Sequence, residues 1–484
     1  MNAVRVARLL GLLARFPDDE IHDGLYAVAR FSDGVKARAR AAAAVADGDR
    51  DGTFGAHVQT RRRDQARALR EAPVFEGALE RTPQRLSVTL ALRANGHDHV
   101  ACNDVGRYYG FRHDRPCVPK KTGSALRWAA FLLAWVTAAM LPAGAQQIWP
   151  APLDGTYTVP QFRFGDGETL RDLRLHYVTL GKPHRSAAGH VDNAVLVLHG
   201  TGGDTNQFLR EIYAGVLFVP GGALDATKYF IIITDGIGHG KSAKPSDGMR
   251  AQFPRYGYRD MVAAQHSVVA DALHVDHLRL VTGTSMGGMH TWLWGEMYPA
   301  MMDALMPLAS LPVQISGRNR IWRDMIVDAL RSDPAYAKGD YQTEPAEGLR
   351  AAGDLLWIFG SAPLYNQSQL PTQDAADAYY RDHVRTLASH YDANDLIYQL
   401  EASRDYNPQP ALGTIVAPLV AINSADDQIN PPELGIVDRE IGKVKHGRFV
   451  LLPITERTRG HGTHTHAEIW QSYLRELLTT TGAR

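Results

Sequence analysis

The chain has 484 residues, 45% of them hydrophobic and 21% charged, an ordinary globular composition with length enough for one large domain or two to three average ones. Its 52 basic and 52 acidic residues balance to a formal net charge of zero, so no overall basicity points to nucleic acid as a partner. Both cysteines, Cys102 and Cys117, lie in the first quarter, which excludes a cysteine nucleophile, a Cys-type zinc site and a disulfide framework from everything after Val118.

Residues 1–117 carry many arginines but a single lysine, Lys36, together with alanine-rich runs such as "KARARAAAAVADGDRDG". Little there patterns as a packed core, and the segment reads as a non-native or disordered extension. Residues 118–145 then place Lys120, Lys121 and Arg127 before an uncharged stretch, 128–141, and small residues at 143–145. That is the layout of a secretory signal peptide, lying more than a hundred residues late. Two explanations fit: translation starting at Val118, or an internal signal-anchor, although the uncharged stretch is shorter than the ~20 residues that span a bilayer. Both put the chain after residue 145 outside the cytoplasm, periplasmic or secreted, and the mature domain is not expected to need the membrane.

From residue 146 short β-rich runs alternate with helical patterns, so residues 146–484 are expected to form one α/β domain with a mostly parallel sheet and helices on both faces. The expected strands cover 193–199, 229–235, 278–284, 304–310, 418–424 and 448–454, mostly continuous apolar runs of the kind buried on both faces. "DMVAAQHSVVADALH" and "AEIWQSYLRELL" have helical spacing and would cover the sheet. Residues 311–417 are too many for a simple connection and carry helical patterns, "RIWRDMIVDALRSDP" and "AEGLRAAGDLLWIFG", so an inserted helical cap is expected there.

Residues 283–287, "GTSMG", have the G-x-S-x-G form between an expected strand and an expected helix, the context of a nucleophile elbow, which would make Ser285 the nucleophile. A serine hydroxyl needs a base, and the base a carboxylate, following in the order acid then histidine. The loop "ADDQINPPE" after the strand at 418–424 offers Asp426 and Asp427, with Asp427 preferred because it stands before "QINPP"; either could instead be a solvated turn residue. The loop "TERTRGHGTHTH" offers His461, with His464 and His466 expected to enter the last helix. The oxyanion donors would be the backbone N–H of Met286 and, from the Gly-rich "LHGTGGD", that of Thr201.

Two rival readings are set aside. "HGTHTH" has the residue types of a metal site, but no further cluster has ligand spacing, so no metal is expected. "DGIGHGKSAKP" resembles a phosphate-binding loop, yet Asp235 stands where its first glycine should be and Pro245 interrupts the helix, so no nucleotide and no cofactor is expected.

Taken together, "GGALDATKYFIIITDGIGHGKSAKPSDG", "FPRYGYRDMVAAQH", "GTSMGGMH", "RIWRDMIVDALRSDPAYAKGDY", "DDQINPPE" and "GHG" resemble the homoserine O-acetyltransferase family of α/β-hydrolases over roughly residues 156–478. The resemblance implies an acyl-enzyme on Ser285, a triad completed by Asp427 and His461, and a substrate-binding role for Arg323, which matches the cap arginine. The family typically has an aspartate after its catalytic histidine that helps bind homoserine; here that position is Gly462. The expected activity is therefore a serine-dependent acyl hydrolase acting on a small-molecule acyl ester, with an O-acyltransferase acting on a small alcohol as the alternative and a catalytically silent binding protein as a third. The reading is compatible with a homodimer.

Overall fold

The computed structural model describes residues 148–482 and, in a separate unit spanning Met1–Lys120, a short antiparallel strand pair, Arg81–Thr82 with Arg85–Leu86. Apart from that pair, the expectations for residues 1–117 and 118–145 lie outside the described residues.

Residues 148–482 are built on an eight-stranded sheet. In chain order its strands are β1 (Leu153–Arg163), β2 (Thr169–Leu180), β3 (Ala194–Leu198), β4 (Phe230–Thr234), β5 (Leu280–Thr284), β6 (Leu305–Leu308), β7 (Leu419–Ser424) and β8 (Gly447–Leu452). They lie side by side as β8-β7-β6-β5-β3-β4-β2-β1. The six strands β3 to β8 are parallel, and β1 and β2 add an antiparallel edge. The fold is thus an α/β-hydrolase fold, with each expected strand present.

Strands β3 to β7 are buried along their whole length, which is why their sequences are unbroken apolar runs. Successive residues serve opposite faces: Leu196, Leu198, Ile232 and Val281 pack into one core, Val195, Val197, Ile231 and Leu280 into the other. The first core is closed by the helices α1 (Tyr258–Ser267) and α2 (Met286–Met297) through Met261, Val262, Trp292 and Leu293.

Between β6 and β7 lie α3 (Gly317–Ser332), α4 (Ala346–Gly360), α5 (Pro363–Gln369), α6 (Gln373–Asp382) and α7 (Ala393–Glu401). They carry a core of their own around Ile326, Leu330, Leu349, Leu396 and Leu400. The α7 side chains fasten it to the long connection that leaves the carboxyl end of β4. Gln399 Nε2 donates to Gly238 O at 2.8 Å, Tyr398 Oη to Phe253 O at 2.7 Å, and Asp395 accepts from Ser246 N and Oγ at 2.9 and 2.7 Å. The last helix, α8 (Ala467–Thr480), packs Trp470, Leu474 and Leu477 into the second core.

The hairpin β1–β2 was not foreseen. It runs antiparallel over ten paired positions from Leu153 opposite Thr179 to Arg163 opposite Thr169. Its first strand, LDGTYTVPQFR, alternates exposed and half-buried positions and has no continuous apolar run to mark it.

What joins sheet to helix most tightly is the approach of α2 to β3. A Cβ on Gly287 would stand 2.0 Å from Leu198 O, and one on Gly283 would stand 2.3 Å from Gly287 O. Gly287→Ala therefore has to push helix and strand apart and is expected to cost about 2–3 kcal/mol. Gly442→Ala, at a position with open space around it, is expected to change stability by less than about 0.5 kcal/mol. Urea unfolding of the two variants beside the parent checks both values.

Candidate active site

Ser285 lies at the junction of β5 and α2 with φ 56° and ψ −112°, a conformation that costs a non-glycine residue about 1–3 kcal/mol. It is held from both sides, its N–H donating to Leu308 O at 2.9 Å and its carbonyl accepting from Met289 N at 2.9 Å. The turn thereby points the hydroxyl away from the sheet, toward the loops that follow the other parallel strands.

His461 comes from the loop after β8. Its Nε2 stands 2.8 Å from Ser285 Oγ and its Nδ1 2.8 Å from Asp427 Oδ2. An ionised carboxylate can only accept, so Nδ1 carries the proton and Nε2 is left to accept from the serine hydroxyl. Asp427, in the loop after β7, is 1% exposed and also accepts from Ile429 N (2.8 Å), Asn430 N (3.2 Å) and Asn430 Nδ2 (3.0 Å). Burial pushes this carboxyl up, but His461 and the N–H donors outweigh it and hold the acid below its ordinary value. Ser285, His461 and Asp427 are thus brought together in one hydrogen-bonded line.

Asp426 points elsewhere, accepting from Gly460 N at 2.9 Å and Ser424 Oγ at 2.5 Å. Between the adjacent aspartates, then, Asp427 is the one that reaches the histidine ring.

Met286 is the first residue of α2, and an amide in that position has no acceptor inside its own helix. The loop after β3 runs against the elbow: a Cβ on Gly200 would stand 3.4 Å from Ser285 Cβ. Thr201 follows directly, with a buried Oγ1 that lacks a hydrogen-bond partner. Two side chains that sequence reasoning missed shape this loop. Gln207 accepts from Gly200 N at 3.1 Å and donates to Thr284 Oγ1 at 2.7 Å, tying the loop to the residue before the serine. His199 accepts from Gly236 N through Nε2 at 3.0 Å, so its Nδ1 proton goes to Gly200 O at 2.9 Å. A polar residue a few positions past a Gly-rich turn was the available signal for Gln207.

Asn430 was also missed. Its amide donates to both Asp427 Oδ2 and, at 2.9 Å, Ala309 O, which fixes the carboxylate against the end of β6.

His464 and His466 do not enter the last helix. Residues Gly462–Thr465 form a separate 3-10 turn and α8 begins at Ala467, because the His464 carbonyl is taken by the Trp470 indole N–H (3.1 Å) instead of an α-helical amide. The His464 ring packs edge-on against His461, with centroids 5.0 Å apart, and burial followed by the neighbouring His461 brings it down to about 3. Among the described residues no group of three or more His, Cys, Asp or Glu side chains is arranged to hold a metal ion.

Arg323 lies in α3, 4% exposed, with Nε donating to Asn319 Oδ1 at 3.1 Å and a buried Nη1 that has no partner. Its hydrogen bond stays within the helix rather than joining the Ser285 line.

The model of the alpha/beta hydrolase fold family matches residues 193–452, a span that begins at β3 and ends with β8. The chain belongs to the α/β-hydrolase family. Within this family, the chain is 30% identical over 285 residues to a protein named "Probable acyltransferase" from Methanothermobacter thermautotrophicus, covering 58% of this chain and 85% of that one. It is 30% identical over 307 residues to the homoserine O-acetyltransferase of Moorella thermoacetica (55% and 79% covered) and 32% identical over 263 residues to that of Salinibacter ruber (49% and 72%). These relatives put it in the homoserine O-acetyltransferase-like group. The same fold is found in an acetylester hydrolase from Corynebacterium glutamicum, with TM-score 0.60, 21% identity, and 68% and 96% of the two chains covered. It is found again in the homoserine O-acetyltransferase of Bacillus anthracis, with TM-score 0.59, 19% identity, and 69% and 99% covered.

The lowered acid has a consequence for stability. A carboxyl depressed in the folded state stabilises the protein above its unfolded value, near 3.8, and that contribution is lost as the pH falls through the folded value. The stability difference between the parent protein and Asp427→Asn is expected to shrink steadily as urea unfolding is repeated from about pH 5 down to about pH 2.

Proposed function

We propose that this α/β-hydrolase is a serine-dependent acyl hydrolase that works through an acyl-enzyme on Ser285, with His461 as base and Asp427 as its orienting acid. The observation that carries the reading is the continuous line from Ser285 Oγ to His461 Nε2 and from His461 Nδ1 to Asp427 Oδ2, each step 2.8 Å.

In the first half-reaction the Ser285 proton passes to His461 Nε2 while Oγ attacks the ester carbonyl carbon. The carbonyl π electrons move to oxygen, where the N–H groups of Met286 and Thr201 would receive the charge. Asp427 stabilises the imidazolium so formed. Collapse breaks the bond to the alcohol oxygen, which leaves with the proton from His461. In the second half, water gives a proton to His461 as its oxygen attacks the acyl carbon. Collapse then releases the acid and returns the proton to Ser285.

Water is the proposed acceptor because Gly462 has no side chain with which to bind the ammonium group of an amino-acid alcohol, as the aspartate of the resembled family does. The names of the curated relatives favour the second reading, transfer of the acyl group to a small alcohol, with Arg323 holding that substrate. The two readings share the acyl-enzyme and differ only in what attacks it. A periplasmic or secreted location completes the proposal, resting on the signal-like layout of residues 118–145.

A fluorophosphonate probe is expected to label Ser285 in the purified protein. With a short-chain activated ester, Ser285→Ala and His461→Ala are each expected to lower kcat/KM by at least about 10³-fold. Free acid is expected to form at a rate indifferent to added homoserine and other small alcohols. An O-acylated product would move the assignment to the transferase reading, and an unlabelled, inactive Ser285 would remove both. For the location, mass spectrometry of the mature protein is expected to find Gln146 as the first residue, in a periplasmic or medium fraction; an intact 1–117 segment would refute the start at Val118 and the cleavage after Ala145.

A further inference from the structure

Asp426 is absorbed by neither the triad nor the oxyanion loop, yet it is a buried carboxylate, 8% exposed, next in sequence to the residue that holds His461. Its oxygens are divided between two loops. Oδ1 accepts from Ser424 Oγ at 2.5 Å, which fixes the side chain to the end of its own strand, and Oδ2 accepts from Gly460 N at 2.9 Å, across to the segment that follows β8.

That second bond falls at the residue immediately before His461. Gly460 has φ 59°, in the left-handed region, and is boxed on its other side by the chain around α5, since a Cβ there would stand 3.0 Å from Ser361 O and 3.2 Å from Ala362 Cβ. The turn around it is closed internally by Gly462 N to Arg459 O (3.1 Å), Thr463 N to Gly460 O (3.1 Å) and Arg459 N to Thr463 Oγ1 (2.8 Å). Those bonds set the shape of the turn but not its distance from β7. The ladder between β7 and β8 ends at the Ser424–Leu452 pair, followed by one bond from Ala425 N to Leu452 O, and the chain then leaves the sheet. Asp426 re-anchors it to β7 at Gly460 through the backbone, independently of the ring bond to Asp427.

We propose that Asp426 is a positioning residue for His461, acting through the Gly460 amide so that the imidazole is held at its 2.8 Å distance from Ser285 Oγ. The tandem aspartates thus hold the base at two points, with Asp427 orienting the ring and Asp426 placing the backbone that carries it. The proposal rests on His461 being the base of Ser285. A bond from a backbone amide to a carboxylate is stronger than one to a neutral oxygen, which suits an anchor at the end of a loop.

The test is steady-state kinetics with a short-chain activated ester on the full chain. Asp426→Ala removes the acceptor and is expected to lower kcat by about 10- to 100-fold with KM within about twofold, since a displacement near 1 Å costs about that much. Asp426→Asn keeps an oxygen for Gly460 N–H and can donate its NH₂ to Ser424 Oγ, and is expected to recover kcat to within about threefold of the parent. An unchanged kcat in Asp426→Ala, a loss expressed in KM, or an Asp426→Asn no better than Asp426→Ala overturns the proposal. Should Asp426→Ala not fold, Asp426→Ser, whose shorter side chain does not reach the Gly460 N–H, is expected to show the same loss in kcat; an unchanged kcat in it overturns the proposal as well. His461→Ala, measured beside them, separates the two levels. Activity surviving in it sinks the assignment of the base, whereas activity lost in it but kept in Asp426→Ala sinks only the role of Asp426.

Discussion

The carbonyl of Leu198 and the α-carbon of Gly287 approach so closely that no side chain fits between them, and the geometry of the site depends on that contact. Because α2 comes this near to β3, the chain must reverse from strand to helix within a residue, and Ser285 takes the left-handed φ that the reversal demands. The strain is tolerated because the elbow is hydrogen-bonded on both sides, to Leu308 O and Met289 N. The same approach sets the first amide of α2 beside the loop after β3, where Gln207 and His199 fix the path of Gly200.

Parallel strands supply the remaining constraint. With β3, β5, β7 and β8 running the same way, the loops that carry Thr201, Ser285, Asp427 and His461 all leave the sheet at one edge, so groups remote in the chain meet without long excursions. The electrostatics follow from depth. Asp427 is buried almost completely yet stays the stronger acid because its oxygens accept from His461, Ile429 and Asn430. His464, its ring packed edge-on against His461 and without a carboxylate of its own to accept from it, is held neutral by burial and by that neighbour.

Much of this architecture is legible in the residues alone. The runs "NAVLVLH" and "YFIIITD" announce strands buried on both faces, and "GTSMG" between a strand and a helix announces the elbow, because both patterns express local requirements: apolar side chains in succession, and glycines where backbones touch. The β1–β2 hairpin escaped because its outer strand is half-solvated and carries no apolar run. The expectation that His464 and His466 enter the last helix fails because the Trp470 indole claims the carbonyl that the helix would have needed. Asn430 and Gln207 escaped for another reason. Each is an ordinary loop amide whose role consists of contacts to residues 121 and 77 positions away, respectively.

The sequence by itself determined where the six parallel strands would run, although β8, at the sheet edge, is only half buried, that a serine would sit on a tight strand-to-helix turn, and that an acid and a histidine would follow it in the right order at strand ends. These depend on near neighbours, and near neighbours are what a sequence displays. Only the tertiary structure decided which of two adjacent aspartates meets the histidine. Asp426 and Asp427 have the same chemistry and nearly the same local context, and the turn after β7 sends one carboxylate to the Gly460 backbone and the other to the His461 ring. That choice is made by the direction in which each Cβ leaves the folded loop, a property of the assembled sheet rather than of the residues beside it.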